Sequence, residues 1–409
     1  MTVRGLLATA AAAAVAAAPS AADDRRQPAG ALEAAFADES YRPGAAAALR
    51  LFTASEAVVL QIYRAGPERT VARADDVMVG TPVGPPHRVG SVRAGGTMAI
   101  RIGAWPSGMY FVMLTGSGGE RGYAPFVVRP RRLGTHQVAI VMPTRTWQAY
   151  NFRDDDGDGS SDTWYAMQGR REARLGRPFL NRGVPPHFRR YDARFLRWLH
   201  ASGRKVDVLA QEDLDETTGA RLATAYQWLV FPGHHEYVTR AEYDAVAGYR
   251  DRGGNLAFLS ANNFFWRIDV RDPTMRRVAK WRELDRPEAS LIGVQYLAND
   301  RGRRKAPWLV RPGPAASWLF DGVPLRNGRE FSEGNVEIDA TAPSSPAGIQ
   351  VVAEIPNLLG PGLTAQMTYY ETARGAKVFA AGAFTLAGNV YDPAVRRFLH
   401  NLWARLSQP

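Results

Sequence analysis

Residues 228–243 read WLVFPGHHEYVTRAEY. Four apolar residues, Trp228 to Phe231, stop at Pro232-Gly233, and His234, His235, Glu236 and Tyr237 follow at once. Thr239 then precedes Arg240-Ala241-Glu242 and a helical pattern, so the stretch reads as strand, polar turn and capped helix. In an open parallel sheet, ligands bind beyond the carboxyl ends of the strands. His234, His235 and Glu236 therefore stand where chemistry is usually placed. Extended backbone turns His234 and Glu236 to one side and His235 to the other. The triplet is not HExxH, so the two-histidine helix of zinc proteases is missing. It reads either as a metal carboxylate beside an acid or base, or as a polar turn facing water.

The same alternation runs outward from this stretch. Strands are predicted over 138–142, 206–209, 228–231, 255–259 and 376–381, with helices over 192–202, 214–224, 242–252 and 393–406. Asp392 caps the last helix, with Pro393 in its first turn. That order predicts a doubly wound α/β domain over 135–409. A proline- and glycine-rich stretch at about 281–363 reads as an insertion. Upstream, short apolar runs at 47–53, 57–64, 97–103, 108–115 and 123–128 predict a small immunoglobulin-like β-sandwich over 41–134. The first 22 residues read as a secretory signal, short and Ala-rich, and 23–40 as a flexible leader. Secretion or periplasmic export is the expectation, with no membrane span in the mature chain.

The 409-residue chain contains no cysteine, which excludes disulfides, thiolate metal sites and a cysteine nucleophile. Its formal charge is +11, and all but Lys205, Lys280, Lys305 and Lys377 among its basic residues are arginine. Clusters lie at 129–132 and 301–305, but no nucleic-acid-binding motif accompanies them, so no nucleic-acid partner is expected. The stretch 154–162, DDDGDGSSD, offers Asp154, Asp156, Asp158 and Asp162 around Gly159. Hard oxygen ligands about a glycine turn suit a structural Ca2+ ion, and a hydrated acidic turn is the alternative. Ser260, in LSANN, lacks the G-x-S-x-G elbow of a nucleophile. Tyr110 reads as a structural residue near a late sandwich strand.

Four stretches together, PTRTWQAYN (143–151), FPGHHEY (231–237), RGGNLAFLSANNFFWR (252–267) and GAKVFAAGAF (375–384), resemble the C-terminal region of the N,N-dimethylformamidase large subunit. The α/β part is also similar to the glutamine-amidotransferase-like fold, without its cysteine. The first resemblance implies an amide hydrolase with a mononuclear iron held by two tyrosines and a glutamate. Glu236 matches the carboxylate ligand and Tyr150 one tyrosine, while Tyr110 is the candidate for the second. His234, Asn262 and Glu371 match the remaining active-site positions, and His235 stands where the family often has an acid. The resemblance implies Fe(III), a small amide substrate and a companion subunit or homo-oligomer. Three anionic oxygen donors suit a ferric ion. The competing expectation is a non-catalytic secreted protein that binds carbohydrate or a surface and holds only calcium.

Overall fold

The computed structural model describes residues 27–408 apart from 167, 168, 312, 324 and 325. The stretch expected as a signal, 1–22, and the first residues of the expected leader lie outside the described residues.

Two sheets face each other in the N-terminal part. One has five strands in the order Ser40–Tyr41, Arg121–Val128, Gly108–Gly116, Ser55–Arg64 and Thr81–Val92. The other has three, Ala34–Phe36, Ala46–Leu51 and Thr97–Arg101. Leu49, Leu60, Val112, Ala124 and Phe126 fill the space between them. Two expectations are corrected here. Ala34 to Phe36, read as flexible leader, is a strand buried in this core, because its three apolar residues complete the smaller sheet. Thr81–Val92, where no strand was expected, is a twelve-residue strand. It pairs on one side only, with Ser55–Arg64, so a missing proline N–H breaks no second ladder.

The larger part is built on one long mixed sheet. Its parallel half runs Asp207–Ala210, Val138–Met142, Trp228–Phe231, Asn255–Phe258, Lys377–Ala380. These strands are short, apolar and buried along their whole length, as strands covered on both faces must be. Val138, Ile140 and Met142 pack with Phe195 and Leu199 of the Phe188–Ala201 helix and with Phe398 and Leu402 of the Pro393–Leu406 helix. Ala139 and Val141 point the other way, toward Leu222 of Gly219–Ala225 and Val246 and Tyr249 of Arg240–Arg250. Thr239 Oγ1 accepts from the Glu242 N–H at 3.1 Å, so the helix starts where its cap predicts.

In chain order the parallel strands stand 2-1-3-4-5. The connections after Val138–Met142 and after Trp228–Phe231 therefore leave in opposite directions. A crevice opens between them at the carboxyl ends.

The stretch expected as an insertion, 281–363, extends this sheet instead. Beyond Lys377–Ala380 it continues antiparallel through Ala365–Glu371, Gln350–Ile355, Lys305–Val310, Glu330–Ala340 and Gln295–Asn299. A second, four-stranded sheet sets Tyr237–Thr239 beside Trp266–Arg271, Thr274–Lys280 and Glu172–Arg174. The sandwich is joined to this part by buried charge. Arg145 lies between Glu39, at 3.3 Å, and Asp215, at 2.5 Å, with Glu242 at 3.6 Å. Removing one partner of such a group would leave uncompensated charge in the interior.

Candidate active site

The crevice is floored by the turn after Trp228–Phe231. Gly233 is required there, since a Cβ would lie 2.7 Å from Asp192 Oδ1 and 2.9 Å from Pro143 Cγ. Extended backbone then sends the next side chains to opposite sides. His235 turns inward, fully buried, its ring nitrogens 3.1 Å from Gly233 O and 3.0 Å from Val141 O. Burial lowers its pKa to about 4, so the ring is neutral and ties the turn to the first strand. His234 and Glu236 face the crevice, with His234 Nε2 3.5 Å from Glu236 Oε2. Thr146 Oγ1 accepts from the Glu236 N–H at 3.1 Å, which locks the glutamate's backbone to the Thr144–Ala149 helix.

That short, wholly buried helix ends at Tyr150 and aims its phenol at the same carboxylate. Tyr150 O–H donates to Glu236 Oε2 at 2.6 Å. Tyr165 O–H donates to the same oxygen at 3.1 Å, and its ring stacks on Tyr150 with centroids 4.6 Å apart. The Tyr165 and Tyr237 hydroxyls are in direct contact, and Trp164 Nε1 donates to Tyr237 at 3.1 Å. Phenol and carboxylate oxygens from three separate elements thus converge on one point. Burial drives the Tyr150 and Tyr165 pKa values well above their ordinary value, and the Glu236 charge adds to the effect. Burial also raises Glu236 to about 7, against hydrogen bonds from the three tyrosines that favour its charged form. So many acidic oxygens in one dry place repel one another when ionised; a hard cation among them removes that penalty.

The opposite wall comes from the antiparallel half of the sheet. Glu337 and Asp339 alternate with Ile338 along Glu330–Ala340 and share a face. Glu337 Oε2 lies 3.4 Å from His234 Nε2. Asp339 accepts from the Asn262 N–H with both oxygens at 3.0 Å, holding Asn262 in a left-handed conformation with φ 53°. Burial, and then the charge on Glu236, pushes Glu337 well above the carboxylate range. Burial holds His234 well below the usual histidine value. Burial thus disfavours charge on both members of the His234–Glu337 pair. His234 Nε2, Glu337 Oε2 and Asn262 Oδ1 are all buried without a hydrogen-bond partner. Unsatisfied atoms clustered this way are a place for a ligand. A cavity of about 420 Å³ opens above them, bounded by Tyr150, His234, Glu337 and Phe384.

The structure brings together four of the residues expected from sequence: Tyr150, His234, Glu236 and Asn262. It does not bring Tyr110 or Glu371 to them. Tyr110 lies in the sandwich core, stacked on Trp105, and its O–H donates to Pro106 O at 2.8 Å. That closes a tyrosine corner and leaves no free oxygen for a shared ion. Glu371 is exposed and accepts from Tyr369 O–H two residues away. Tyr165 takes the place expected of Tyr110, and Glu337 that of Glu371. Sequence reading missed both, together with Tyr237. The only hints were the aromatic pair Trp164-Tyr165 shortly after the aspartates and the acids flanking Ile338 in Val-Glu-Ile-Asp-Ala, 336–340.

In the aspartate loop, carboxylate oxygens of Asp154, Asp156 and Asp162 lie within 4.8 Å of one another, whereas Asp158 is not among them. Asp154 accepts from the N–H groups of Gly157 and Gly159, and Arg170 lies 2.5 Å from Asp162. Among the described residues no helix is long and apolar enough to cross a membrane.

Residues 95–392 match the family model described as N,N-dimethylformamidase beta subunit-like, C-terminal. The chain is 30% identical over 138 residues to the N,N-dimethylformamidase beta subunit of Alcaligenes sp, covering 32% of this chain and 18% of that protein. It is 23% identical over 273 residues to the beta subunit from Paracoccus aminophilus, covering 52% of this chain and 36% of that one. The matched stretches thus span well under half the length of these relatives. A ThuA-like protein from Parabacteroides merdae is similar at 12% identity and a TM-score of 0.30, over 53% of this chain and 85% of that one. Because the family model spans most of the chain, including every residue of the crevice, this protein belongs to the N,N-dimethylformamidase beta subunit-like family.

Proposed function

We propose that the chain hydrolyses an amide C–N bond at this crevice, with Tyr150, Tyr165 and Glu236 holding a ferric ion. The observation that carries the reading is the convergence of the Tyr150 and Tyr165 hydroxyls on one Glu236 oxygen, at 2.6 and 3.1 Å. When bound, such an ion supplies Lewis acidity toward water and an amide carbonyl. The chain's own residues do the rest. His234, neutral and with Nε2 unpartnered, takes a proton from the attacking water. Glu337, 3.4 Å away and with its pKa pushed well up by burial, returns a proton to the departing nitrogen. Asn262, fixed by Asp339, orients the substrate amide through its side chain. Phe384 packs edge-on to His234 at 4.8 Å and shields the ring from bulk water.

The relatives' designation as beta subunits supports a companion chain or an oligomer for this protein as well. The aspartate loop is read as a structural calcium site through Asp154, Asp156 and Asp162. The amidotransferase-like and immunoglobulin-like resemblances, and export by a signal at 1–22, belong to the same reading.

The test is metal analysis and visible spectroscopy of protein purified without added ions, with amine release measured on simple formamides. About one iron per chain, a tyrosinate charge-transfer band and amine release uphold the reading. Calcium as the sole metal, no band and no turnover would favour a non-catalytic binding protein.

A further inference from the structure

We infer that the substrate is an amide bearing a carboxylate on one arm, read at the mouth of the cavity by Arg194 and Arg301. The inference rests on the proposed amide hydrolysis and adds its substrate class.

The cavity is larger than the chemistry at its floor needs. A volume of about 420 Å³ falls within the range of roughly 300–1,000 Å³ that encloses drug-sized ligands. An amide of a few heavy atoms would leave most of it empty. Away from the floor the lining carries three arginines, Arg190, Arg194 and Arg301, against one acid, Glu333. Arg301 stands in the 300–303 turn in a left-handed conformation, φ 61°, its side chain exposed on the cavity wall. Arg194 reaches the wall from the Phe188–Ala201 helix, and its guanidinium donates to Gly388 O at 3.1 Å. Among the described residues, neither arginine has a carboxylate within ion-pair distance.

The other charges around the opening are already matched. Arg190 is paired with Asp75 at 2.7 Å, and Glu333 with Lys305 at 3.2 Å. Two guanidinium groups without a carboxylate partner remain on the cavity wall, apart from the acid Glu337 beside His234. A guanidinium offers paired donors that match a carboxylate. The lining asparagines Asn299 and Asn335 add neutral polar edges between mouth and floor. A substrate with its amide at His234 and its carboxylate at the arginines would use both the floor and the wall of the cavity. The reaction balances without any co-reactant but water. Water's oxygen bonds to the carbonyl carbon, the C–N bond breaks, and the proton released goes to nitrogen, giving an acid and an amine.

The experiment uses the metal-loaded full chain and two probes of similar length, N-formyl-β-alanine and N-butylformamide. We expect kcat/KM to favour N-formyl-β-alanine by roughly tenfold or more. In Arg194→Gln/Arg301→Gln that ratio should fall toward one, and 0.5 M salt should erode it in the wild type. Turnover of both probes with no preference, or a preference untouched by the double substitution, overturns the inference and leaves the hydrolase reading standing. Turnover of neither probe counts against the hydrolase reading, and calorimetry then decides the inference alone. Tighter binding of N-formyl-β-alanine than of N-butylformamide, weakened in the double variant, upholds the anion subsite. Equal binding of the two probes overturns it.

Discussion

Two tyrosines, Tyr110 buried in the sandwich and Tyr150 part-buried at the crevice, differ in where their hydroxyls go. Tyr110 gives its proton to Pro106 O, four residues upstream, and so closes a local loop. Burial raises its pKa to about 12. Tyr150 gives its proton to Glu236 Oε2, 86 residues away, beside a second tyrosine aimed at the same atom. Its pKa is driven up by burial and further by the carboxylate it touches. One hydroxyl serves stability within its own sheet; the other belongs to a converging group with unsatisfied neighbours. Residue type does not distinguish them. The partner does.

The comparison is sharpened most by Glu236→Gln. Loss of the carboxylate charge should lower kcat by on the order of a thousandfold while the thermal unfolding midpoint stays close to wild type. Activity that survives this change would break the assignment. Next come Tyr150→Phe and Tyr165→Phe, each of which should weaken iron retention by about tenfold or more, as titration with a competing chelator would measure. Equal retention in all three proteins would return Tyr150 to the status of Tyr110.

Asp192, beneath Gly233, gives a pH-dependent effect. Burial raises its folded pKa to about 8, from an ordinary 3.8, and Oδ1 has no partner. The folded chain therefore binds more protons than the unfolded chain between those values. This group's contribution to stability is present below pH 3.8 and lost as pH rises toward 8. Asp192→Asn should flatten that fall, so that unfolding midpoints of wild type and variant diverge as pH rises, with the variant higher. Parallel curves would mean that Asp192 is solvated or paired. The smallest effect belongs to Tyr110→Phe, which should cost about 1 kcal/mol of stability in denaturant titration and leave iron content unchanged.

The same contrast explains what could be read from the sequence. The parallel strands announced themselves as apolar runs bounded by turn signals, and the cap at Thr239 set the helix start. Because His234, Glu236 and Asn262 follow such strands directly, their place could be inferred. Tyr165 follows no regular element; it comes from an irregular polar segment, held by stacking on Tyr150 and by contact with Tyr237. No period marks such a residue. Glu337 lies on a strand whose irregular register, shifting near Asn335 and Ile338, blurs the two-residue alternation. Its neighbourhood therefore read as an insertion when it is the far wall of the site. Thr81–Val92 was hidden for another reason: as an exposed edge strand it tolerates the prolines and glycines that mark turns elsewhere.

The most direct test is the visible absorption of iron-loaded protein in three versions: wild type, Tyr165→Phe and Tyr110→Phe. The account predicts a tyrosinate-to-iron band in the wild type, shifted or weakened in Tyr165→Phe and unchanged in Tyr110→Phe. A band indifferent to Tyr165 and abolished with Tyr110 would contradict it.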